Sequence, residues 1–479
     1  MTAEQQSGQH YEGGHQSLWL ASSGRTEYPA LMGDATVDVA VIGGGIAGLT
    51  TALRLKEEGK RVAVIEAGRI VQGVTAFTTA KITSLHGLIY DHLARAFDEE
   101  TAQLYAEANQ AAIGLIASHV DRYSIACDFE RTSAYTYTTE AKQVDKIQAE
   151  VEAARKAGLA AEFVTQTSLP FPVAGAIRLD NQAQFHPRKY LLGLAQLVNG
   201  DGSSIWEQTK ALEVEDCPRC RVVTAQGVVT ADAVVMATHF PLHDNGMYFA
   251  RMEPYRSYAL ALRVDGPLPE GMYITPNSEH SIRRHRLSDG QEFLLVGGEG
   301  HKTGKADDTP ERYARVEEWA RRHWNVQEVV YSWSTQDFET FDRIPFIGLS
   351  GGAKNLYVAT GFKGWGMTSG TLAGLTISQE ILGHESPWAK VFRPNRIEMA
   401  GVADMVKANL GVAKDFMVDH INKGEGAPTC THMGCKLNWN RAEQSWDCPC
   451  HGSRFSADGA VLNGPAQKPL ENAYRPVEA

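Results

Sequence analysis

The sequence lacks the signals that would carry a protein into a membrane or across one. No uninterrupted apolar stretch approaches the roughly 18 residues of a transmembrane helix. The first 36 residues are polar and glycine-rich, without the charged, apolar and small-residue order of a signal peptide. A twin-arginine signal is absent too, because the first arginine is Arg25. We therefore expect a cytoplasmic protein without a transmembrane segment.

Long basic runs are also missing. The 46 Lys and Arg residues are outnumbered by 57 Asp and Glu residues, and the resulting formal charge of −11 is spread along the chain. Such a sequence offers a phosphate backbone no place to bind, so nucleic acid is not an expected partner. What the chain does have is 479 residues that are 43% hydrophobic, enough for two or three domains with full cores.

Cysteines are few, and most of them are clustered. Four of the seven lie between Cys430 and Cys450, which favours metal or redox chemistry over the disulfide scaffold of a secreted protein. Cys127 stands alone, whereas Cys217 and Cys220 form a C-x-x-C that could be a redox pair. The residues on either side are typical of two strands around a turn, without the helix start that lowers a thiol pKa. We therefore predict a plain hairpin there.

A nucleotide-binding motif follows the N-terminal segment. Val37–Ile42 is an almost continuous β-branched run, and it is followed by G-x-G-x-x-G and a helical stretch, Leu49–Glu58. The first glycine, Gly43, permits the turn, the second lets a pyrophosphate approach the backbone, and the third lets helix and strand pack closely. The helix N-terminus then offers unpaired N–H groups to the phosphates. A glycine-rich turn in some other α/β protein is the alternative.

Glu66 narrows the choice of nucleotide. It ends a second predicted strand, Arg61–Ile65, where a carboxylate can accept hydrogen bonds from both ribose hydroxyls and would repel a 2′-phosphate. The segment AGRIVQGVTAFTTAKIT follows it directly, and ADAVVMAT, RIPFIG and NLYVATGFKGWGMTSGTLAG come later in the chain. In order and wording, these segments resemble the D-amino-acid oxidase superfamily of FAD oxidoreductases, from Ser17 to His384.

The resemblance implies a set of FAD contacts. In that family the first βαβ unit holds the ADP half of FAD, and the hydroxyl-rich segment after the acidic residue contacts the pyrophosphate and ribityl chain. A late glycine-rich segment brings backbone N–H groups beside the flavin. The implied cofactor-binding residues are Gly43, Gly45, Gly48, Glu66, Arg69, Thr75, Thr78, Thr79, Gly361, Gly364, Gly366, Met367 and Thr368. A buried helix packed on the sheet is the other interpretation of Thr368–Leu375, and both can hold for different faces.

Neither the residues nor the resemblance identifies a catalytic residue. Family members build the substrate domain from two insertions, which correspond here to Tyr90–Phe163 and Pro241–Phe338. Possible contributors to substrate binding are His86, Arg283, Lys363 and Trp365. An arginine on a strand is, however, more often solvated than functional.

The C-terminal cysteines form a metal-binding pattern. The two segments are CTHMGC at 430–435 and CPCHGS at 448–453. A Rieske cluster needs two thiolates on one iron and two imidazoles on the other, which C-x-H and C-x-x-H on two facing loops supply. The predicted metal ligands are Cys430, His432, Cys448 and His451. A zinc ribbon is the competing interpretation.

The wording of both segments resembles the Rieske proteins of respiratory complexes. That resemblance implies a [2Fe-2S] cluster, a disulfide between Cys435 and Cys450, and a covering loop at 464–466. Ser453 stands where a hydroxyl can hydrogen-bond a cluster sulfur and raise the reduction potential. Phe455 stands where high-potential members carry tyrosine, so we expect a potential in the lower half of roughly −150 to +300 mV.

The start of the Rieske segment departs from the family pattern. Rieske domains usually begin with several strands before the first ligand loop, whereas here a helical stretch, Gly401–Asn422, is followed only by Gly424–Thr429. We predict a domain with a shortened base. Either other parts of the chain supply the missing strands or the cluster is poorly held.

Three further residues imitate a second metal site. Asn277, His280 and His285 have the spacing of the mononuclear iron ligands of Rieske oxygenases. Asparagine is a poor substitute for the carboxylate of a 2-His-1-carboxylate site, and the order relative to the Rieske motif is reversed. We interpret the spacing as a coincidence, with an oxygenase as a minor alternative.

The expected fold class is α/β, with an FAD-binding Rossmann-like domain, an interleaved α+β substrate domain and a small, shortened all-β Rieske domain. The predicted segments are 1–36 for an N-terminal extension, 37–89, 164–240 and 339–384 for the FAD-binding domain, 90–163 and 241–338 for the substrate domain, 385–423 for a linker with a helix, and 424–479 for the Rieske domain.

These parts together predict an FAD-dependent oxidoreductase. A small amine or amino acid would give a hydride to the flavin, and electrons would pass to the [2Fe-2S] cluster and on to an acceptor protein or quinone. Two alternatives remain open. One is an electron-transfer component without an organic substrate, and the other is an oxygen-using FAD oxidase with a redox-sensing Rieske tail.

Overall fold

The computed structural model describes residues 15–216, 218–396, 401–422 and 427–471. Helices in these residues are α1 (Leu18–Ala21), α2 (Ile46–Glu57), α3 (Tyr90–Ala96), α4 (Glu99–Arg122), α5 (Val144–Lys156), α6 (Pro187–Val198), α7 (Tyr248–Arg251), α8 (Thr309–His323), α9 (Gly366–Ile381), α10 (Ala389–Phe392) and α11 (Val402–Asn422). Within this part of the chain, every helix is too short or too polar to cross a bilayer.

Strands make up the rest of the regular structure. They are β1 (Ala35–Thr36), β2 (Val39–Ile42), β3 (Val62–Ile65), β4 (Lys81–Ile82), β5 (Glu130–Thr138), β6 (Glu162–Val164), β7 (Gly175–Gln184), β8 (Ser204–Trp206), β9 (Ala211–Glu215), β10 (Cys220–Thr224), β11 (Val228–Ala231), β12 (Ala233–Met236), β13 (Met252–Asp265), β14 (Met272–Ile274), β15 (His280–Arg286), β16 (Glu292–Lys302), β17 (Asn325–Thr340), β18 (Phe346–Leu349), β19 (Leu356–Thr360), β20 (Asn438–Asn440), β21 (Ser445–Asp447), β22 (Arg454–Ser456) and β23 (Val461–Asn463).

A central sheet carries the glycine motif. Its order is β18-β19-β12-β2-β3-β8, parallel throughout except for β18. Both β2 and β3 have the sequence VAVI with every residue buried, as expected of strands covered on both faces. Helix α9 packs closely on α2, since a Cβ at Gly374 would come within 2.6 Å of the Thr50 side chain. A smaller sheet, β1-β11-β10-β9, lies beside it.

The strands around the C-x-x-C pair as antiparallel neighbours. Strand β10 begins at Cys220 and pairs with β9, which is the hairpin-like arrangement predicted from the sequence. The Cys220 side chain is buried. Cys217 lies outside the described residues.

A second large sheet, which we call the outer sheet, stands over the glycine motif. Its order is β17-β13-β16-β15-β14-β5-β7-β4, with β6 paired to β7. The longest contact is between β13 and β17, which run antiparallel from Met252 opposite Thr340 to Asp265 opposite Asn325. Helices α3, α4 and α5 come from the Ala- and Glu-rich insertion predicted at 90–163.

Residues 427–471, here called the cluster unit, form an antiparallel sheet of order β20-β21-β22-β23. It packs on one face of β13 and β17. Arg256, on β13, forms an ion pair with Glu443 of the cluster unit at 3.2 Å, although the arginine is only 1% exposed. Gln336 Nε2, on β17, donates to the Gly452 carbonyl at 2.7 Å. The short sequence before Cys430 predicted a Rieske domain with a shortened base. The outer sheet supports the cluster unit where the strands of that base are missing.

The opposite face of the same two strands lines a large cavity. Side chains alternate across a strand, so neighbours in sequence point to opposite faces. Tyr255, Ser257, Thr335 and Asp337 line the cavity, whereas Arg256 between the first two contacts the cluster unit. The outer sheet is therefore a single-layer wall between the cavity and the cluster unit.

Candidate active site and candidate metal centre

The glycine motif forms a tight turn between β2 and α2. Gly43 has φ of +107°, a conformation that an L side chain rarely adopts. A Cβ at Gly48 would lie 1.9 Å from the Gly43 carbonyl oxygen, so the third glycine lets the helix pack against the turn. Helix α2 begins at Ile46, three residues before the start predicted from the sequence, so Gly48 lies within its first turn.

Glu66 follows β3 and faces this turn. Its Oε2 accepts a hydrogen bond from the Gly44 N–H and its Oε1 accepts one from the Gly68 N–H, both at 2.9 Å. Burial raises the pKa of the Glu66 carboxyl, while the two backbone donors act in the opposite direction. The carboxylate is thus fixed at the edge of the cavity beside the start of α2.

The cavity has a volume of about 850 Å³ and is shared by three parts of the chain. The glycine turn and the hydroxyl-rich segment line one side, the outer sheet lines another, and the loop at 464–466 of the cluster unit closes part of it. The sequence-predicted residues that line this cavity are Gly43, Gly45, Glu66, Thr75, Thr78, Thr79, Gly364, Gly366 and Met367.

Four of the predicted cofactor residues lie elsewhere. Gly48 is inside α2, and Gly361 lines a second, smaller cavity. Thr368 is buried and donates to the Thr83 carbonyl at 3.1 Å, in line with a helix packed on its surroundings. The Arg69 guanidinium donates to the Thr26 carbonyl and lies 3.5 Å from a Glu207 carboxylate, away from the cavity lining.

Lys81 is a cavity residue that sequence reasoning missed. Its ammonium nitrogen hydrogen-bonds Ser281 Oγ and lies 3.5 Å from Thr79 Oγ1. Burial lowers the pKa of Lys81 to about 7, and the positive charge of Arg283 acts in the same direction. None of the described carboxylates forms an ion pair with it. The only indication of this residue in the sequence was the lysine in TTAKIT. Its burial could not be predicted, because it depends on strands distant in the chain.

Asp337 is a second ionisable residue that the sequence did not reveal. It lies on the cavity face of β17, and burial raises the pKa of its carboxyl to about 7. The carboxylate accepts hydrogen bonds from the Phe338 and Gly364 N–H groups. An acidic residue within a strand carries no motif, so nothing in the sequence distinguished it from the solvated carboxylates.

The four suggested substrate contacts have different surroundings. The His86 ring stacks on Trp365 with centroids 4.6 Å apart, and its Nδ1 lies 2.7 Å from the Tyr105 hydroxyl. Burial lowers the pKa of His86 to about 3. Lys363 lines both cavities and pairs with Glu339.

Arg283 is the exception among them. Arg283 is fully buried and lines neither cavity. It is therefore neither solvated nor placed to bind a substrate there. Its guanidinium donates to Gln184 Oε1 at 3.0 Å and lies 5.3 Å from the Trp19 ring centroid. The expectation of a solvated side chain was wrong because β15 is an inner strand whose face is covered by the N-terminal segment.

Two loops of the cluster unit bring the predicted metal ligands together. The Cys430 and Cys448 thiols are hydrogen-bonded neighbours, and both side chains are buried. The rings of His432 and His451 have centroids 5.3 Å apart at an interplanar angle of 88°. The donor set thus consists of two sulfurs and two imidazoles from facing loops.

The disulfide implied by the resemblance is present. Cys435 and Cys450 are covalently joined across the two loops. The sulfur of Cys448 also lies within 4.8 Å of both disulfide sulfurs, but a sulfur in a disulfide does not ligate a metal as a thiolate does. The two free thiols of the cluster unit, Cys430 and Cys448, are therefore the cysteines that fit a metal centre.

Other atoms near these loops also fit a bound cluster. His451 Nδ1 is buried without a hydrogen-bond partner, which suits a nitrogen that ligates a metal. The Ser453 hydroxyl contacts Cys430 and accepts a hydrogen bond from the Ala466 N–H at 2.9 Å. Phe455 is fully buried beside these residues.

The oxygenase-like triplet does not form a site. Asn277 lines the large cavity, whereas the His280 ring stacks on Trp319 with centroids 4.0 Å apart. His285 is buried on β15, and its ring lies 4.8 Å from that of Trp19. The two histidines are five apart on one strand and therefore point to opposite faces. The spacing is a coincidence, as the sequence analysis inferred.

Comparisons with known proteins match both parts of the chain. The profile of the family "FAD dependent oxidoreductase" matches residues 38–380, and that of the "Rieske [2Fe-2S] domain" matches residues 426–474. A putative Rieske 2Fe-2S iron-sulfur protein of Bacillus subtilis is 38% identical, with 95% of this chain and 97% of that protein covered.

A further relative and a solved structure match the larger part of the chain. Gamma-glutamylputrescine oxidoreductase of Escherichia coli is 24% identical, with 77% of this chain and 89% of that protein covered. The crystal structure of glycine oxidase from Geobacillus kaustophilus superposes with a TM-score of 0.62 at 19% identity, covering 76% of this chain and 99% of that one.

Proposed function

Because the chain belongs to the FAD dependent oxidoreductase family and ends in a Rieske [2Fe-2S] domain, we propose that it oxidises a small amine or amino acid and delivers the electrons singly to an external acceptor. One observation carries the proposal. The cavity at the glycine motif is also lined by Leu462 and Pro465 of the cluster unit. The two redox sites are thus neighbours within one chain.

The residues that would hold each group are those that meet around the two sites. Glu66 and the N-terminus of α2 suit the ribose and pyrophosphate of FAD, and Thr79 and Met367 line the part of the cavity beneath the outer sheet. Cys430 and Cys448, with the two histidines, suit the cluster. When bound, FAD takes up two electrons and releases them one at a time, and the cluster carries one.

Lys81 has a role that follows from its burial. An amine carries a proton at neutral pH, and it must lose that proton before the adjacent C–H bond can give up a hydride. A lysine with a pKa near 7 is partly neutral at that pH, so Lys81 Nζ can take the proton. We assign Lys81 as the residue that holds the proton of the substrate ammonium.

The contact between sheet and cluster unit supports the path of the electrons. Asp337 lines the cavity, and its neighbour Gln336 donates a hydrogen bond to the Gly452 carbonyl. Gly452 directly follows His451. The Gln336 side chain and its hydrogen bond to Gly452 therefore link the cavity wall to the cluster loop.

Anaerobic spectroscopy tests this proposal. The protein would be purified without oxygen, assayed for iron, sulfide and flavin, and examined by EPR after reduction. We expect the signal of a histidine-ligated cluster, together with bleaching of the flavin bands when a small amine is added. A protein with zinc in place of the cluster, or a flavin that no amine or amino acid bleaches, would contradict the proposal.

A further inference from the structure

A second cavity of about 390 Å³ branches from the first. The two share part of their lining, including Asn277, Arg343, Lys363 and Trp365. We call this second cavity the side chamber. Its outer end is formed by Gln143 and Lys146 at the start of α5. A molecule bound in the large cavity can therefore extend into the side chamber past Trp365.

The side chamber has an uneven charge. Its lining includes three cationic side chains, those of Lys146, Arg343 and Lys363, and no carboxylate. Only Lys363 is paired, with Glu339, which lines the large cavity instead. Within the described chain, neither Lys146 nor Arg343 forms an ion pair. Two cations without an ion-pair partner therefore border the same small volume. Both side chains are also exposed to solvent, and Glu140 acts electrostatically on Lys146.

The other polar groups there do not reduce this charge. His86 is held neutral at physiological pH, since burial keeps its pKa at about 3, and it is hydrogen-bonded to Tyr105. Asn277 and Gln143 add amide groups, which can donate to an anion. A chamber with cations and neutral donors but no carboxylate is complementary to a negative group.

We propose that the side chamber binds a carboxylate at the far end of the substrate, so that the preferred substrates are amines with a remote carboxylate. This inference rests on the proposed oxidation of an amine in the large cavity. The charge also favours one orientation. Lys146 lines only the side chamber, Arg343 and Lys363 line both cavities, and the carboxylates of Glu66, Asp337 and Glu339 line only the large cavity. The amine is therefore placed in the large cavity and the carboxylate in the side chamber.

Calorimetric titration of the holoenzyme tests the chamber without turnover. Glutarate and glutaramide have the same length, but only glutarate is charged. We expect glutarate to bind at least about tenfold more tightly than glutaramide, with a preference that weakens as salt is added. Arg343→Gln and Lys146→Gln should each reduce the preference, and the double variant should abolish it.

Lys354→Gln is the control. Lys354 is exposed and lines neither cavity, so its loss should leave the preference unchanged. Equal binding of glutarate and glutaramide to the native protein would overturn the inference. So would a preference that survives in the double variant, because the anion would then bind elsewhere.

Turnover separates this inference from the proposed function. Flavin bleaching would be compared for 4-aminobutyrate and 4-aminobutanamide, which differ only in the charge of the far end. Faster bleaching by 4-aminobutyrate supports both. If neither amine bleaches the flavin while the native protein still prefers glutarate, amine oxidation is wrong for this class and the anion chamber stands. If both bleach it equally and glutarate is not preferred, the chamber is wrong and amine oxidation stands.

Discussion

Single residues differ in how far the sequence reveals them. The positions of the glycine turn, of Glu66 and of the four facing cysteine and histidine side chains could be predicted because each depends on a short spacing in the sequence. Lys81 could not, because its burial results from the pairing of β4 with β7, where Lys81 lies opposite Gln184. A position in a short polar segment is exposed or buried according to partners about a hundred residues away.

The pH dependence of flavin reduction tests the role of Lys81. Lys81 accepts a proton only when its side chain is neutral. The rate of flavin reduction by a substrate amine should therefore rise as pH increases and level off above about 7. In Lys81→Met the rise around pH 7 should disappear, leaving only the rise at higher pH at which the substrate ammonium itself loses its proton, and the rate at pH 8 should fall by about 10²-fold or more. Stopped-flow absorbance would measure both.

A readout without substrate accompanies that prediction. The absorbance of the oxidised flavin should shift with pH around 7 in the native protein, as the neighbouring lysine loses its charge, and not in Lys81→Met. Lys354→Met, at an exposed turn, should behave like the native protein. A pH profile unchanged in Lys81→Met would show that another group takes the proton.

Ser453 gives a prediction about the cluster. Its hydroxyl contacts the Cys430 sulfur, and a hydrogen bond to a charged group contributes about 1.5–3 kcal/mol. Only the gain in this hydrogen bond on reduction changes the potential. Since 1.4 kcal/mol corresponds to about 59 mV for one electron, Ser453→Ala should lower the reduction potential, with roughly 130 mV as the upper limit. A redox titration followed by EPR would measure it. Ser456→Ala, on the exposed side of β22, should leave the potential unchanged.

Elements were predicted well where their own residues determine them. The sequence indicated a strand at Val37–Ile42 and a helix at Gly401–Asn422, and β2 and α11 occupy these stretches within a few residues. It also indicated a Rieske domain without its usual first strands. It could not show what replaces them, because the replacement is the far face of β13 and β17, which depends on tertiary packing.

The ion pair between Arg256 and Glu443 tests that replacement. Removing one partner leaves a buried charge uncompensated, so Arg256→Met should destabilise the protein by about 3–5 kcal/mol. The double variant Arg256→Met/Glu443→Leu should recover much of this loss, because the Glu443 carboxylate is no longer left without its partner and the buried Asp447–Arg454 pair stays intact. Denaturant unfolding, with the EPR signal as the measure of cluster retention, would follow both.

An exposed ion pair provides the comparison. Arg322 and Glu318 are neighbours on α8 with both side chains largely exposed, so Arg322→Met should cost less than about 1 kcal/mol. Equal losses in Arg256→Met and Arg322→Met would mean that the cluster unit is held by its other contacts.

At the scale of the whole molecule, the cavity, the wall and the cluster unit form a single arrangement. The two families could be assigned from separate motifs in the sequence. Their relation in space could not, because the loop at 464–466 reaches the cavity only through the folded cluster unit. The proposed function therefore predicts that electrons pass from flavin to cluster within one chain.

Rapid mixing tests this consequence. After anaerobic addition of an oxidisable amine, the cluster should become reduced at a rate that does not change with protein concentration, since donor and acceptor belong to the same molecule. Cys430→Ser should lose the cluster, keep the disulfide and retain flavin reduction. A rate of cluster reduction proportional to protein concentration would instead indicate transfer between molecules.

The alternation along β13 and β17 also limits how the chain can vary by descent. Register shifts interrupt the pairing of these strands after Ala261, whereas Met252–Ala261 pairs continuously with Tyr331–Thr340. A one-residue insertion or deletion before Arg256 in this continuous stretch would turn the following side chains to the other face, sending Arg256 into the cavity and Ser257 towards the cluster unit. Substitutions can alter one face at a time, but such a change of length damages both at once. Lineages that keep both redox centres should therefore accept insertions in the loops around these strands and none within the continuous stretch.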